Sequence, residues 1–172
     1  MNYSEFVRSR FKSGKKIAAE MTPHKAALLN NICRQVVDSA NSLDHVKKYA
    51  IYNKQNLASQ TPVSLNEQRL YKNFKPTLSQ CELLHAAIGI AGEAGELLDA
   101  VRKLFFEGQP LDRENVIEEL GDLCFYLEAA CQAIGVTREE IEELNTAKLS
   151  KRYEAGYSDK EAQERADKAG EE

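Results

Sequence analysis

Apolar residues recur along this chain at helical spacing, in segments bounded by clear start and stop signals. Thr22 followed by Pro23 predicts an N-cap with proline in the first helical turn. The helix it opens, roughly 22–50, carries Ala27, Leu28, Ile32, Val36, Leu43, Val46 and Ile51 near the helical period. Thr77 and Gln80 form a capping box that opens a long helix over about 78–106. Its apolar stripe reads Leu84, Ile88, Ala91, Gly95, Leu98, Val101 and Phe105. After the turn "EGQPLD", Asp112 caps a helix over about 113–135, with the stripe Val116, Leu120, Leu123, Cys124, Leu127 and Cys131. Gly135 ends that helix, and Thr137 with Glu140 opens the next, 138–153. Gly156 is expected to break it, and Ser158 with Glu161 to cap a last short helix. Ser4 is expected to cap a short first one. Residues 53–76 read as a polar connection with a short helix after Pro62, and 166–172 as a frayed tail. The pattern predicts an all-α fold, a single domain over 1–172.

Composition narrows the function without naming it. The 172 residues suffice for one packed domain, and low glycine and proline contents favour helices. A formal net charge of −4 gives no basis for nonspecific nucleic-acid binding. No apolar run approaches the roughly 20 residues that span a bilayer, so no membrane partner is expected. The start "MNYSEFVRSRFKSGKK" lacks the apolar core of a secretory signal. Cys33, Cys81, Cys124 and Cys131 show no CxxC pairing, which predicts free, buried, reduced thiols and a cytoplasmic protein rather than disulfides or zinc.

The two long helices resemble each other. A shift of 55 places Thr22, Leu28, Leu29, Leu43, Asp44, Val46 and Lys48 on identical residues at 77, 83, 84, 98, 99, 101 and 103. With a one-residue gap, Gln55 and Leu57 then fall on Gln109 and Leu111. If this is a duplication, 22–70 is its worn copy, because Asp38 and Asn41 stand where Glu93 and Glu96 stand. The helix 22–50 is then expected to pack against 78–106 pseudo-symmetrically and to bind no metal.

Acidic residues interrupt the apolar segments in a repeated way. "GEAGELLDA" places Glu93 and Glu96 three apart, and "IEELGDL" does the same with Glu119 and Asp122. A three-residue step turns a helix by about 60° and rises about 4.5 Å, so each pair shares a face. The short turn between the helices makes them antiparallel neighbours, which brings four carboxylates towards one spot. Such a group repels itself unless a cation compensates, and all-oxygen ligation suits Mg²⁺ or Mn²⁺. The plain alternative is the wet edge of an amphipathic pair, balanced by Arg102, Lys103 and Arg113.

The motifs "GEAGELLDAVRK", "VIEELGDLCFYL" and "NTAKLSKRYEAGYS" resemble those of the MazG-like all-α nucleoside triphosphate pyrophosphohydrolases, over about residues 77–165. That family's signature is EExxE, a spacer, then ExxD, and here Gly92 replaces its first glutamate. The resemblance implies an antiparallel four-helix-bundle-like architecture and a metal set of Glu93, Glu96, Glu119 and Asp122. It implies hydrolysis of a (deoxy)nucleoside triphosphate between the α and β phosphates, with Mg²⁺ as cofactor and Glu93 or Glu96 orienting or deprotonating the water. Asn145, Lys148 and Arg152 share a helical face that suits the β and γ phosphates, Lys103 is a further phosphate candidate, and His85 a substrate contact. Short-chain relatives build four-helix units from two subunits, so a homodimer is expected.

A phosphoribosyl-ATP pyrophosphohydrolase is an alternative within the same fold, and a non-catalytic helical interaction protein an alternative outside enzymes. A di-iron carboxylate bundle needs repeated ExxH pairs, and only Glu82 with His85 has that spacing here.

Overall fold

A computed structural model describes residues 2–54, 64–153, 155–164 and 167. Among them the chain is all-α, with eight helices: α1 (Tyr3–Arg10), α2 (Gly14–Glu20), α3 (Pro23–Ala50), α4 (Leu65–Leu70), α5 (Leu78–Glu107), α6 (Arg113–Ile134), α7 (Arg138–Arg152) and α8 (Asp159–Glu164). The capping boxes Thr77/Gln80 and Thr137/Glu140 are formed, and Asp112 caps α6. Gly135 ends α6 in the left-handed conformation, with φ 72°. No described helix is long and apolar enough to cross a membrane.

Several boundaries depart from the expectations. Asn2, not Ser4, caps α1, because its side chain accepts from the Glu5 amide while Glu5 returns the bond. Ser13 opens α2, a helix the apolar pattern does not reveal, since only seven residues form it. The helix α7 ends at Arg152, with extended Tyr153 as its C-cap, before Gly156 is reached. The short helix expected after Pro62 is α4, while residues 55–63 and most of the tail 166–172 lie outside the described residues.

The chain divides into two compact units, Met1–Pro23 with Val136–Glu172, and His24–Gly135. In the second unit α5 and α6 pack along their length. The buried face of α5 is a ridge of small residues, Ala86, Gly89, Gly92 and Gly95. The Tyr126 ring from α6 occupies the space that a side chain at Gly89 would need. This corrects the expected apolar stripes: Leu84, Val101, Phe105, Leu120 and Leu127 are exposed, and Cys131 is the largest fully buried side chain. Close backbone approach over glycine turns these larger side chains outward.

The helix α3 meets α5 where Ala40 Cβ fills the space a side chain at Gly95 would take. These two residues are 55 apart. The same shift relates two charge clusters. Asp44 pairs with Lys47 at 2.9 Å and Lys48 at 2.5 Å, while Asp99 pairs with Arg102 at 2.9 Å and Lys103 at 2.6 Å. Tyr52 bonds His85, and their counterparts Glu107 and Asn30 are joined through the Arg102 guanidinium.

In the other unit α1 packs on α7, with Phe6 and Tyr153 buried. The Ser9 carbonyl accepts from the Tyr157 amide, and Lys12 pairs with Asp159 at 2.7 Å. All four cysteines are free, but only Cys131 is buried; Cys81 and Cys124 are exposed, against expectation. The exposed faces of α5 and α6 carry them.

Candidate active site

Glu93 and Glu96 lie one turn apart on α5, and α6 brings Glu119 to them across the glycine ridge. One carboxylate oxygen from each of these three falls within 4.8 Å of the others. Glu119 is only 5% exposed, Glu93 is half-buried and Glu96 exposed. Asp122 stands outside the gathered three and is exposed, yet its charge acts on both Glu93 and Glu119. Burial, then repulsion from Glu96 and Glu93, pushes the Glu119 carboxyl up to about 7. Burial and Glu96 also raise Glu93, with Lys47 opposing them.

A divalent cation fits this arrangement. Ligand oxygens about 2.0–2.1 Å from Mg²⁺ lie roughly 3–4 Å apart, so small side-chain adjustments suffice. The donors are all hard oxygens, and the buried anion needs compensation from a cation. Glu93, Glu96 and Glu119 would hold the ion, with Asp122 within electrostatic range.

Next to the carboxylates lies a group that the sequence reading did not single out. The Lys47 ammonium, 4% exposed, is 3.8 Å from Glu93 Oε1 and 2.9 Å from Asp44 Oδ1. Burial disfavours its charge, but Asp44 outweighs burial and raises its pKa. The Tyr52 and Tyr126 rings flank it, their centroids 5.9 and 5.4 Å from Nζ. Tyr52 shares hydrogen bonds with Tyr126 and with His85 Nε2, at 3.1 and 3.0 Å. Burial, then the bond to Tyr52, pushes the Tyr126 hydroxyl up to about 12. The signal for Lys47 was present in the repeated DxxKK and DxxRK of residues 44–48 and 99–103.

Lys103 is held by Asp99 on its own helix. Asn145, Lys148 and Arg152 sit on α7, in the unit formed by 1–23 and 136–172. There Asn145 accepts from the Tyr3 hydroxyl at 3.4 Å, Lys148 is exposed, and Arg152 makes a two-bond fork to Asp167.

The class that the structure shows is an all-α scaffold gathering carboxylates from two adjacent helices. Within that class, residues 83–156 match the family model of the MazG nucleotide pyrophosphohydrolase domain, which confirms the resemblance over that segment. No curated protein and no solved structure matches the chain significantly.

Proposed function

We propose that this protein is a Mg²⁺-dependent nucleoside triphosphate pyrophosphohydrolase, cleaving between the α and β phosphates to give the monophosphate and pyrophosphate. The observation that carries this reading is the convergence of Glu93, Glu96 and Glu119 inside the matched segment. Mg²⁺, or Mn²⁺ in its place, supplies neutralising charge to the triphosphate oxygens when bound. Glu93 and Glu96 from α5 and Glu119 from α6 would hold the ion. Glu93, whose carboxyl is raised by burial, orients and deprotonates the attacking water. Lys103, Asn145, Lys148 and Arg152 supply donors and positive charge for the phosphates, which requires Arg152 to exchange Asp167 for substrate.

The nucleobase is assigned to the groove beside His85. A cavity of about 650 Å³ there is lined by Ile51, Phe74, Pro76, Cys81, Leu84 and His85. His85 lies eight residues before Glu93, about 12 Å along the helix, within the length of an extended nucleoside triphosphate. A second copy of the chain covers the exposed apolar residues Val101, Phe105, Leu120 and Leu127, since so much apolar surface on adjoining helices is unusual for a monomer. We also read residues 22–70 as the worn copy of an internal duplication, supported by the meeting of Ala40 with Gly95.

The test is a nucleotide panel with Mg²⁺, following monophosphate and pyrophosphate. Production of diphosphate and orthophosphate instead would overturn the assignment.

A further inference from the structure

We propose that Lys47 is a resident cation of the acidic centre that competes with a divalent ion for Glu93 and so weakens metal binding. This rests on the reading of Glu93, Glu96 and Glu119 as a metal centre and goes beyond it by assigning a residue that sets its affinity.

The two related clusters differ in where the central cation is directed. Arg102 is bound by both Asp99 and Glu107, and Glu107 also pairs with Arg34 at 3.4 Å. Asp44 serves Lys47 and Lys48 together, which leaves one positive charge in excess. Lys47 directs that excess at Glu93 Oε1, 3.8 Å away. The ammonium is held there by burial and by the two tyrosine rings, which favour a cation over their faces.

Gly92 completes the arrangement. Among the described residues, a Cβ built at this position would have one neighbour within 4 Å, Lys47 Nζ at 3.9 Å. Open space at Gly92 is bordered by that ammonium. The Glu93 carboxylate is therefore shared between Lys47 and any bound ion. Coulomb repulsion between two cations at such short range is strong in a partly buried site. Lys47 thus competes with a bound ion for Glu93. It is a positioning residue, acting through Glu93.

Titration of the full chain with Mn²⁺ alone, followed by electron paramagnetic resonance of the free ion, tests this without nucleotide. Wild type, Lys47→Arg and the control Lys48→Met should bind Mn²⁺ with similar affinity. Lys47→Met should bind it at least fivefold more tightly. Lys47→Gln, which keeps a polar partner for Asp44, provides the same removal of charge if the methionine variant loses its helical circular dichroism. Unchanged affinity in a folded charge-removed variant would overturn the proposal alone. No Mn²⁺ binding in any of the proteins would remove the metal centre itself, and the proposal with it.

Discussion

Ala40 fills the space that a side chain at Gly95 would occupy, and the two residues are equivalent positions of helices related by a 55-residue shift. In a two-fold arrangement only residues near the axis meet their own counterparts. The contact therefore marks the crossing of α3 and α5 as the pseudo-axis of the proposed duplication.

Gly95→Ala should destabilise the protein by about 1–3 kcal/mol, because the added methyl meets the Ala40 Cβ, which no side-chain rotation can move aside. Helix propensity alone would stabilise by about 1 kcal/mol. Gly121→Ala isolates that opposite effect, since no described atom lies within 4 Å of a Cβ there. Thermal unfolding of both variants checks the signs, and Ala40→Gly should rescue Gly95→Ala. A Gly95→Ala protein as stable as Gly121→Ala would place α3 elsewhere.

Glu119→Gln should lower pyrophosphohydrolase activity by at least about 100-fold, the loss of several kcal/mol of charge stabilisation. In metal-free protein at pH 8 the same change should raise Tm, because it removes a buried anion facing Glu93 and Glu96. Asp122→Asn, on an exposed residue outside the gathered three, should reduce activity less. Steady-state kinetics and calorimetry of the two variants measure the contrast; equal effects would return Asp122 to the ligand set.

The pH dependence of metal-free stability follows from the same carboxyl. Glu119 holds its proton up to about 7 when folded, against an ordinary value of 4.5. Between those values the folded state binds more protons than the unfolded, so this contribution to stability falls as pH rises. It is fully present below pH 4.5 and lost as pH passes 7. Metal binding competes with that proton, so saturating Mg²⁺ should cancel the decline at pH 8. Glu119→Gln should flatten the metal-free profile, read as Tm against pH from 5 to 8.

Mg²⁺ or Mn²⁺ should raise Tm through binding to the folded state. The rise should vanish when Glu93 and Glu96 are both changed to Gln, and persist in Asp38→Asn. One carboxylate beside Asn41 cannot compensate a divalent ion as the gathered set can. A rise lost in Asp38→Asn would mean that the worn copy still binds metal.

Local signals made most helices legible. Thr77, Asp112 and Thr137 hydrogen-bond amides within their own first turns, and Gly135 adopts a left-handed conformation that needs no distant partner. The three-residue spacing of Glu93 and Glu96 likewise follows from helix geometry. Less legible was α2, whose single short segment contains too few apolar residues to set a period.

What the sequence determined by itself was therefore whatever depends on neighbours a turn away: the helices, their caps, and two acid pairs each on one face. Tertiary structure decided which of those acids meet. Close approach over Gly89 and Gly95 buried the small-residue ridge of α5 in place of its large apolar residues, and drew Glu119 rather than Asp122 into the group. It also decided that Lys47, 46 residues before Glu93, becomes a buried neighbour of that carboxylate. Helical spacing orders side chains along one element, but the charge surrounding a carboxylate comes from every element packed against it.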